Sequence, residues 1–199
     1  MNPPLNLVLA SQSPRRKELL ALAGYPFETV SADIDETFDP RLQPGENVMQ
    51  TSVRKAEASL ELVAAPESTV ILSADTTVVL DGEPLGKPLD APHALQMLTS
   101  LQGRSHEVLT GYTVMHRERR ITEFARTVVE FEPMPDDEIR RYIDTLQPFD
   151  KAGSYGIQDP ILACYVRGIA GCYYNVVGLP VSKVFAALKQ FLPHTSGLT

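Results

Sequence analysis

A cluster of basic residues opens a predicted helix near the start of the chain. The segment 7–20, LVLASQSPRRKELL, is typical of a buried strand that runs into a helix. Ser13 is a good N-cap and precedes a proline, so the first-turn backbone N–H groups point out of the helix start. Arg15, Arg16 and Lys17 stand where the helix dipole disfavours cations. This placement predicts a bound anion such as phosphate; the alternative is that the three cations are ordinary solvated charges.

An aspartate interrupts the most apolar strand of the chain. The run 69–80, TVILSADTTVVL, is typical of a central strand with apolar residues on both faces. Asp75 lies at its polar middle, where an aspartate is disfavoured and costly to bury unless it meets a cation, a metal or hydrogen-bond donors. A position in a cleft, with a role in catalysis or metal binding, explains it best. The alternative is a strand break in which Asp75 bonds nearby backbone.

Two lysines could contribute to the same site. Lys55 lies near the edge of the apolar stripe of a helix predicted over residues 46–65, so it either points towards the core or extends to water. Lys87 stands in the sequence GKP at 86–88, where a restricted backbone could hold its side chain in one direction. Surface lysines near turns are common, so neither lysine alone identifies a site.

Acidic and amide side chains complete the candidates. Asp33, Asp35 and Glu36 offer oxygen ligands for a hard divalent ion, although an acidic loop is most often simply solvated. The segment 150–158, DKAGSYGIQ, has glycines that permit close backbone approach, and its Gln158 suits a base or a sugar as well as an ordinary loop. One set of candidates suits a phosphate chain, one metal ion and an activated water: Arg15, Arg16, Lys55, Lys87, Asp75 and Glu36.

The elements that must position these residues alternate between strands and helices. A tight turn at 81–82 follows the central strand, and the charged turn 117–120 joins two long strands into a hairpin. No repeat or linker interrupts the chain, so we expect one α/β domain over residues 1–199 with a cleft between two lobes. The predicted strands cover residues 6–10, 27–31, 69–80, 107–116, 121–131, 161–168 and 172–177. The predicted helices cover residues 13–24, 46–65, 90–101, 136–146 and 180–192.

The chain is acidic overall, with 25 Asp and Glu residues, 18 Lys and Arg residues and a formal net charge of −7. This charge disfavours general attraction to nucleic acid or to an anionic membrane, so we expect neither as a partner. Any anion site should be a local basic pocket. The 43% hydrophobic and 22% charged residues are ordinary for a globular protein with a sizeable core.

Cysteine usage and the N-terminal sequence predict a cytoplasmic protein. Cys164 and Cys172 lack CxxC spacing or a plausible zinc set, which fits a reducing compartment and two packed thiols; a disulfide is the alternative. The N-terminus lacks a signal-peptide pattern, and no apolar run approaches the length of a membrane span. The four histidines show no spacing typical of metal ligation, and we expect structural roles for them: His93, His106, His116 and His194.

Five separately spaced motifs carry a family resemblance. They are SQSPRR at 11–16, SADT at 73–76, GKP at 86–88, DKAGSYGIQ at 150–158 and NVVGLP at 175–180. Over about residues 5–190 the chain resembles the Maf (septum formation inhibitor) family. The resemblance implies an elongated mixed β-sheet flanked by helices, inosine triphosphatase-like, with a nucleotide in a cleft between two lobes and often a homodimer. It also implies a nucleoside triphosphate pyrophosphatase that uses a divalent cation such as Mg²⁺, Mn²⁺ or Co²⁺.

The resemblance also implies roles for single residues. Asp75 matches the family's proton acceptor, which activates water for attack at the α-phosphorus. Glu36 matches an acidic residue near the metal, so Glu36 and Asp75 are the predicted metal ligands. The residues that match positions in contact with the phosphates, or that shape the active site, are Ser11, Arg16, Lys55 and Lys87.

Three further positions favour pyrimidine substrates. The dTTP/UTP branch of the family has Arg, Thr and Gln where this chain has Arg15, Thr76 and Gln158; a branch acting on 7-methyl-GTP has an aromatic residue, Gln and Glu. We therefore expect hydrolysis of dTTP and UTP, with CTP or modified pyrimidine nucleotides as further candidates, in a house-cleaning role linked to division arrest. Asp159 and Pro160 follow where a glycine is common. The alternatives are 7-methyl-GTP specificity or a non-catalytic nucleotide-binding regulator of cell division.

Overall fold

A mixed β-sheet forms the centre of the fold. The computed structural model describes residues 5–192, and within that range seven strands form one sheet. The strands are β1 (Asn6–Ala10), β2 (Phe27–Val30), β3 (Thr69–Leu80), β4 (Glu83–Leu85), β5 (Ser105–His116), β6 (Arg119–Phe131) and β7 (Val166–Ala170). Their order is β2-β1-β3-β5-β6-β7, and β4 pairs with β3 outside this path. β1 runs parallel to β2 and β3, whereas the other pairs are antiparallel.

Helices flank the sheet, which confirms the predicted α/β class. Within residues 5–192 they are α1 (Pro14–Ala21), α2 (Pro44–Leu60), α3 (Ala91–Leu101), α4 (Asp136–Leu146), α5 (Pro160–Ala163), α6 (Tyr173–Val177) and α7 (Val181–Leu188). Short 3₁₀ turns lie at Pro66–Ser68 and Ala152–Ser154. Across the described chain, none of these helices is both long enough and apolar enough to cross a bilayer.

Strand β1 is buried on both faces, and its side chains divide between two apolar clusters. Leu7 and Leu9 pack into the main core with residues of α1, α3, α4 and α7. Val8 and Ala10 pack with Ala56 of α2 in a second cluster. Successive side chains of a strand point to opposite faces of its sheet. Helix α2 therefore covers one face, and the main core lies on the other.

Helix α2 packs directly on the centre of the sheet because a glycine lies beneath it. A Cβ atom at Gly111 would come within 2.4 Å of the backbone carbonyl of Val48. Gly111 of β5 pairs with Asp75 of β3. The missing side chain therefore lets the helix backbone approach the strand position next to the aspartate. Lys55, two turns further along α2, reaches Asp75 from this position.

The predicted start of α1 is confirmed. Ser13 Oγ accepts a hydrogen bond from the backbone N–H of Arg16 at 3.4 Å, and a proline occupies the first helical position. The helix ends at Ala21, three residues before the predicted end at Gly24. Gly24 has a φ of 74°, a left-handed conformation that glycine adopts without strain, so it lies in the turn beyond the helix.

Helix α2 starts earlier and ends earlier than the predicted range 46–65. Gln43 is its N-cap, and Gln43 with Glu46 forms a capping box in which each side chain pairs with the other residue's backbone. Pro44 therefore fits the first helical position, where its missing N–H costs no helix hydrogen bond. The helix ends at Leu60, and residues 61–64 form a turn instead of a fifth helical turn.

Of the two strands predicted near the C-terminal end, one is displaced and the other is wrong. The range 161–168 begins as α5 and becomes strand only in its last residues, and the range 172–177 is mostly helix α6. Asn175 of α6 is fully buried and donates hydrogen bonds from Nδ2 to Val108 O and to Thr127 Oγ1, each at 3.0 Å. A short apolar run does not distinguish helix from strand by period. Contacts with β5 and β6 decide the conformation here.

Turn chemistry explains a strand that the sequence analysis missed. Asp81 and Gly82 have φ values of 54° and 86°, which confirms the predicted tight turn. The turn folds β4 back on β3 as a short antiparallel pair. The predicted hairpin of β5 and β6 is also confirmed, with Arg117 at a φ of 53° in its turn.

Both cysteines are free thiols, so the structure contains no bond between them. Cys172 is partly buried, but Cys164 is exposed on α5, and the prediction of two packed thiols is wrong for this residue. The reason is the helical start of the segment, because Cys164 is the C-cap of α5 and not part of a strand.

Candidate active site

A cavity of about 860 Å³ opens where β1 meets α1 and the middle of β3. Its volume suits a ligand of nucleotide size. The loop after β2, the loop after β4 and the segment 150–158 complete its walls. All the residues predicted for the site line this cavity: Ser11, Arg15, Arg16, Glu36, Lys55, Asp75, Thr76, Lys87 and Gln158.

Some candidates from the basic and acidic segments do not reach the cavity. Lys17 is not among its lining residues, so two of the three helix-start cations face it. Asp33 lines the cavity, whereas Asp35 does not. The Asp35 carboxylate instead accepts a hydrogen bond from the backbone N–H of Thr37 at 2.9 Å. It therefore shapes the loop that carries Glu36.

An ammonium group lies between the two predicted metal-binding carboxylates. Lys55 Nζ is 2.7 Å from Asp75 Oδ1 and 2.8 Å from Glu36 Oε1. Lys87 Nζ lies 3.5 Å from the other oxygen of Glu36. The side chains of Lys55 and Asp75 are each 13% exposed, so their attraction is screened less than at the surface. Of the two directions open to Lys55, the structure shows the inward one.

The charges around Glu36 keep its carboxylate ionised. Burial works to raise the pKa of Glu36, but the hydrogen bond and charge of Lys55, together with Lys87, outweigh burial and hold that pKa below its ordinary value. Burial also lowers the pKa of Arg16, while the charges of Asp75 and Glu36 oppose that shift. Arg16 stays a cation, since an arginine remains protonated in proteins.

The cavity is basic although the whole chain is acidic. One net positive charge faces the cavity, whereas the formal net charge of the chain is −7. An anionic ligand is therefore attracted locally and not by the whole surface. The charged lining consists of the cations Arg15, Arg16, Lys55, Lys87 and Lys151 and of the carboxylates Asp33, Glu36, Asp75 and Asp150.

Arg16 is held in place by a chain of hydrogen bonds. Its guanidinium donates to Gly178 O and to Thr76 Oγ1, each at 2.9 Å. Thr76 and Thr110 are 3.0 Å apart, and the Thr110 hydroxyl donates to Asn175 O at 3.0 Å. Since the one proton of Thr110 is used there, Thr76 is the donor to Thr110. This chain joins α1, β3, β5 and α6.

Ser11 lies just before the first turn of α1. Its hydroxyl oxygen accepts a hydrogen bond from the backbone N–H of Ser13 at 3.2 Å. A serine hydroxyl still has its proton to donate when its oxygen accepts. With the backbone N–H of Arg15, Ser11 can therefore donate to phosphate oxygens.

The segment 150–158 contacts both ends of the cavity. Arg15 donates to the Asp150 carboxylate at 3.0 Å, which ties the start of the segment to α1. The N–H of Gly153 donates to Gly86 O at 3.0 Å, next to Lys87. Gln158 is exposed, and none of residues 5–192 forms a hydrogen bond with its side chain. Its carboxamide is therefore available to a ligand.

A buried histidine contacts the segment 150–158 through Tyr155. His106 is 2% exposed, and its Nε2 lies 2.6 Å from the hydroxyl of Tyr155, a cavity-lining residue. Burial lowers the pKa of His106 to about 4, so the ring is neutral at neutral pH. His116 pairs with a backbone carbonyl and His93 accepts from a backbone N–H, whereas His194 lies outside the described residues.

The residues present fit a divalent ion that takes part of its coordination from a ligand. In the range 5–192, no group of three or more His, Cys, Asp or Glu side chains is placed to hold a metal ion. Glu36 and Asp75 nevertheless lie close enough together for both carboxylates to contact one cation, which is the ammonium group of Lys55. Mg²⁺ is commonly bound by one or two carboxylates together with substrate phosphates and water. Two carboxylates beside a phosphate site match that donor set.

The groups that hold the predicted residues in place carry no functional signal of their own in the sequence. Asn175 and Gly178 belong to the motif NVVGLP, and the resemblance assigns them no role. Thr110 belongs to no motif, and its role in holding Thr76 is visible only from its position opposite Thr76 in the sheet. No sequence spacing predicts such contacts, since they join strands that are separate in the chain.

Comparisons with known proteins find a family model and relatives that match nearly the whole chain. The family described as Maf-like protein matches residues 6–191. A dTTP/UTP pyrophosphatase of Chlorobaculum tepidum is 65% identical over 188 residues, which cover 94% of this chain and 95% of that protein. A dTTP/UTP pyrophosphatase of Chlorobaculum parvum is 63% identical over 188 residues, 94% of each chain. A dTTP/UTP pyrophosphatase of Bacillus cytotoxicus is 47% identical, covering 92% of this chain and 94% of that protein.

A solved structure shows a weaker likeness. The Staphylococcus aureus Ham1 protein aligns with a TM-score of 0.46 and 13% identity, covering 63% of this chain and 71% of that one. A likeness at this level carries no inference about the reaction.

Proposed function

The chain belongs to the Maf family, and from that membership we propose that it is a pyrophosphatase that hydrolyses dTTP and UTP. Water attacks the α-phosphorus, and the bond from that phosphorus to the α,β-bridging oxygen breaks. The products are the nucleoside monophosphate and pyrophosphate. Relatives that are dTTP/UTP pyrophosphatases and cover nearly the whole chain support this reaction.

The observation that carries the proposal is an aspartate with one free oxygen beside a basic cavity. Asp75 Oδ1 is bonded to Lys55, and no hydrogen bond to Asp75 Oδ2 is found among residues 5–192. Asp75 lines a cavity whose other residues suit phosphates. A carboxylate in this position can accept a proton from an attacking water.

The residues around Asp75 contribute to this reaction in two ways. Lys55 orients the Asp75 carboxylate by a 2.7 Å hydrogen bond, which leaves the second oxygen for water. Arg16, Ser11 and Lys87 bind the phosphate oxygens, and they stabilise the negative charge that builds up on the departing pyrophosphate. The transferred proton leaves from Asp75 to solvent after the bond breaks.

A divalent cation is the proposed cofactor, with Glu36 and Asp75 as the residues that would hold it. When bound, such an ion neutralises phosphate charge and lowers the pKa of a coordinated water. The low pKa of Glu36 supports this assignment, since a metal ligand must be ionised. Mg²⁺, Mn²⁺ and Co²⁺ are the candidates.

Gln158 is the residue proposed to contact the base. Thymine and uracil present an N–H between two carbonyl groups, and one carboxamide can accept from that N–H and donate to a carbonyl. Arg15 and Thr76 contribute by another route, because Arg15 braces the segment at Asp150 and Thr76 holds Arg16. CTP as a substrate, homodimerisation, a cytoplasmic location and a link to division arrest stay predictions.

The test is pyrophosphate release from dTTP, UTP, CTP, ATP, GTP and 7-methyl-GTP, each with Mg²⁺, Mn²⁺ or Co²⁺. We expect release from dTTP and UTP, and a loss of about 1,000-fold in kcat for Asp75→Asn, which keeps the shape of the side chain but removes the base. Asp144→Asn is the matched control, since Asp144 is exposed on α4 away from the cavity.

Four other results would contradict parts of the proposal. Release from 7-methyl-GTP alone would overturn the pyrimidine assignment, and release of orthophosphate would indicate a general phosphatase. A panel without any product would favour a nucleotide-binding regulator. Full activity of Asp75→Asn would remove Asp75 as the base.

A further inference from the structure

The tight turn that carries Gln158 is closed from both sides by Asp159. The backbone N–H of Asp159 donates to Gly156 O at 3.0 Å, which closes the turn 156–159. In return, the N–H of Gly156 donates to Asp159 Oδ2 at 3.1 Å. These two bonds fix the backbone on either side of Gln158.

A buried tyrosine connects this turn to helix α4. Tyr142 is fully buried, and its hydroxyl donates to Asp159 Oδ2 at 2.5 Å. The same hydroxyl oxygen accepts from the N–H of Gly156 at 3.1 Å. Burial and the hydrogen bond to Asp159 raise the pKa of Tyr142, so it stays a neutral donor. The turn is thereby attached to a regular element of the main core.

The Asp159 carboxylate packs closely against the backbone of Gly156. A Cβ atom on Gly156 would lie 2.7 Å from Asp159 Oδ2, so only glycine leaves room for this carboxylate. Lys151 Nζ lies 3.9 Å from the same oxygen and offsets its charge. The Asp159 side chain is 16% exposed, so the carboxylate is largely withdrawn from solvent.

The other attachments of residues 150–158 precede Gln158, and the nearest is Ile157, which is buried in the main core. Arg15 holds Asp150, and Gly86 O holds Gly153. Without the Asp159 carboxylate, the turn 156–159 would lose the hydrogen bond that this carboxylate accepts from Tyr142 of α4. Gln158 itself makes no hydrogen bond with any of residues 5–192, so its position depends on its backbone.

We propose that Asp159 and Tyr142 are positioning residues for base selection, which act by holding the turn that presents Gln158. This inference rests on the proposed hydrolysis of dTTP and UTP. Neither residue lines the cavity, so neither touches the nucleotide. Their effect therefore passes through Gln158 and appears in substrate binding rather than in the chemical step.

The experiment compares kcat and KM for dTTP and UTP in the wild-type enzyme and in Asp159→Ala, Asp159→Asn and Tyr142→Phe. We expect Asp159→Ala to raise KM about tenfold and to change kcat less than about twofold, because the lost bonds hold the turn and not the reacting groups. Asp159→Asn keeps an oxygen acceptor for both donors and should restore KM to within about threefold of the wild type. Tyr142→Phe should lie between them.

A double-mutant cycle with Gln158→Ala tests whether Asp159 acts through Gln158. If it does, Asp159→Ala raises KM no further when Gln158 is already alanine, since the side chain to be positioned is gone. Additive effects would overturn the proposal, as would a fall in kcat equal to the rise in KM. Asp144→Asn on α4 is the control, and melting temperatures of all variants show whether each is folded.

Two outcomes separate this inference from the proposed function. If the wild-type enzyme hydrolyses dTTP and the folded variants Asp159→Ala and Tyr142→Phe have the same KM as the wild type, the positioning roles alone are overturned. A wild-type enzyme inactive on dTTP and UTP would overturn the proposed function. In that case binding of α,β-imido-dTTP is measured, and equal dissociation constants in the wild type and folded variants would overturn the positioning roles as well.

Discussion

The two sides of the cavity are constructed differently. On one side, Asp75 and Lys55 belong to β3 and α2, whose positions are set by sheet pairing and by the contact of α2 with Gly111. On the other side, Gln158 belongs to an irregular segment, and side-chain hydrogen bonds hold it in place. The proposed chemistry therefore depends on rigid elements, whereas the proposed base recognition depends on a braced loop.

This difference predicts which kinetic parameter each kind of substitution should change. General-base catalysis requires placement within hydrogen-bond reach, which regular elements provide. Loops vary more readily between relatives than the elements that they connect, so they are suited to substrate selection. Substitutions of Asp75 or Lys55 should lower kcat, and substitutions in the braced loop should raise KM.

The largest effect after loss of Asp75 itself is expected for Lys55→Met. The substitution removes the cation between two carboxylates, and we expect kcat to fall about 100-fold. Since Lys55 holds the pKa of Glu36 below its ordinary value, that pKa rises in the variant. The acidic limb of the plot of kcat against pH should therefore move to higher pH.

Lys189→Met is the control, because Lys189 lies beyond the end of α7 and does not line the cavity. A pH profile of Lys55→Met that coincides with that of the wild type would contradict the role assigned to this lysine. A rise in KM without a change in kcat would likewise place Lys55 on the recognition side of the comparison.

The second prediction concerns the free energy of unfolding and its dependence on His106, which pairs with Tyr155 of the segment 150–158. Burial lowers the pKa of His106 to about 4 from 6.5, so the unfolded chain binds a proton that the folded chain does not between these values. The contribution to stability is therefore complete above pH 6.5 and is lost as the pH falls towards 4. It amounts to about 2 kcal/mol between pH 7 and pH 5.

Urea unfolding of the wild type and His106→Gln at pH 7 and pH 5 measures this contribution. We expect the free energy of unfolding of the wild type to decrease more between the two pH values than that of the variant. Glutamine retains an amide that can pair with Tyr155. Equal decreases in the two proteins would contradict the assignment to His106.

The smallest expected effect tests the chain of hydrogen bonds that holds Arg16. Thr110→Val removes the hydroxyl between Thr76 and Asn175 O, and we expect KM for dTTP to rise about tenfold because Arg16 is less well oriented. Thr110→Ser should restore the wild-type KM. Thr145→Val, at an exposed position of α4, is the control. Equal KM values for wild type and folded Thr110→Val would contradict the positioning of Arg16.

Local signals in the sequence accounted for much of the fold. Ser13 and the proline after it predicted the start of α1, and the apolar run around Asp75 predicted the central strand. The exceptions are short segments. The run 172–177 is too short to show a period, and the buried hydrogen bonds of Asn175 with β5 and β6 made it helical. Helix ends also moved where caps such as Gln43 were not foreseen.

By itself, the sequence determined which residue types could do chemistry, because an aspartate within an apolar strand and cations at a helix start are unfavourable unless they have partners. Only the tertiary structure decided which groups are those partners. Lys55 lies between Asp75 and Glu36, and Tyr142 bonds Asp159, because packing joins elements that are distant in the chain. Side-chain contacts between separate elements depend on how those elements pack, which no local spacing specifies.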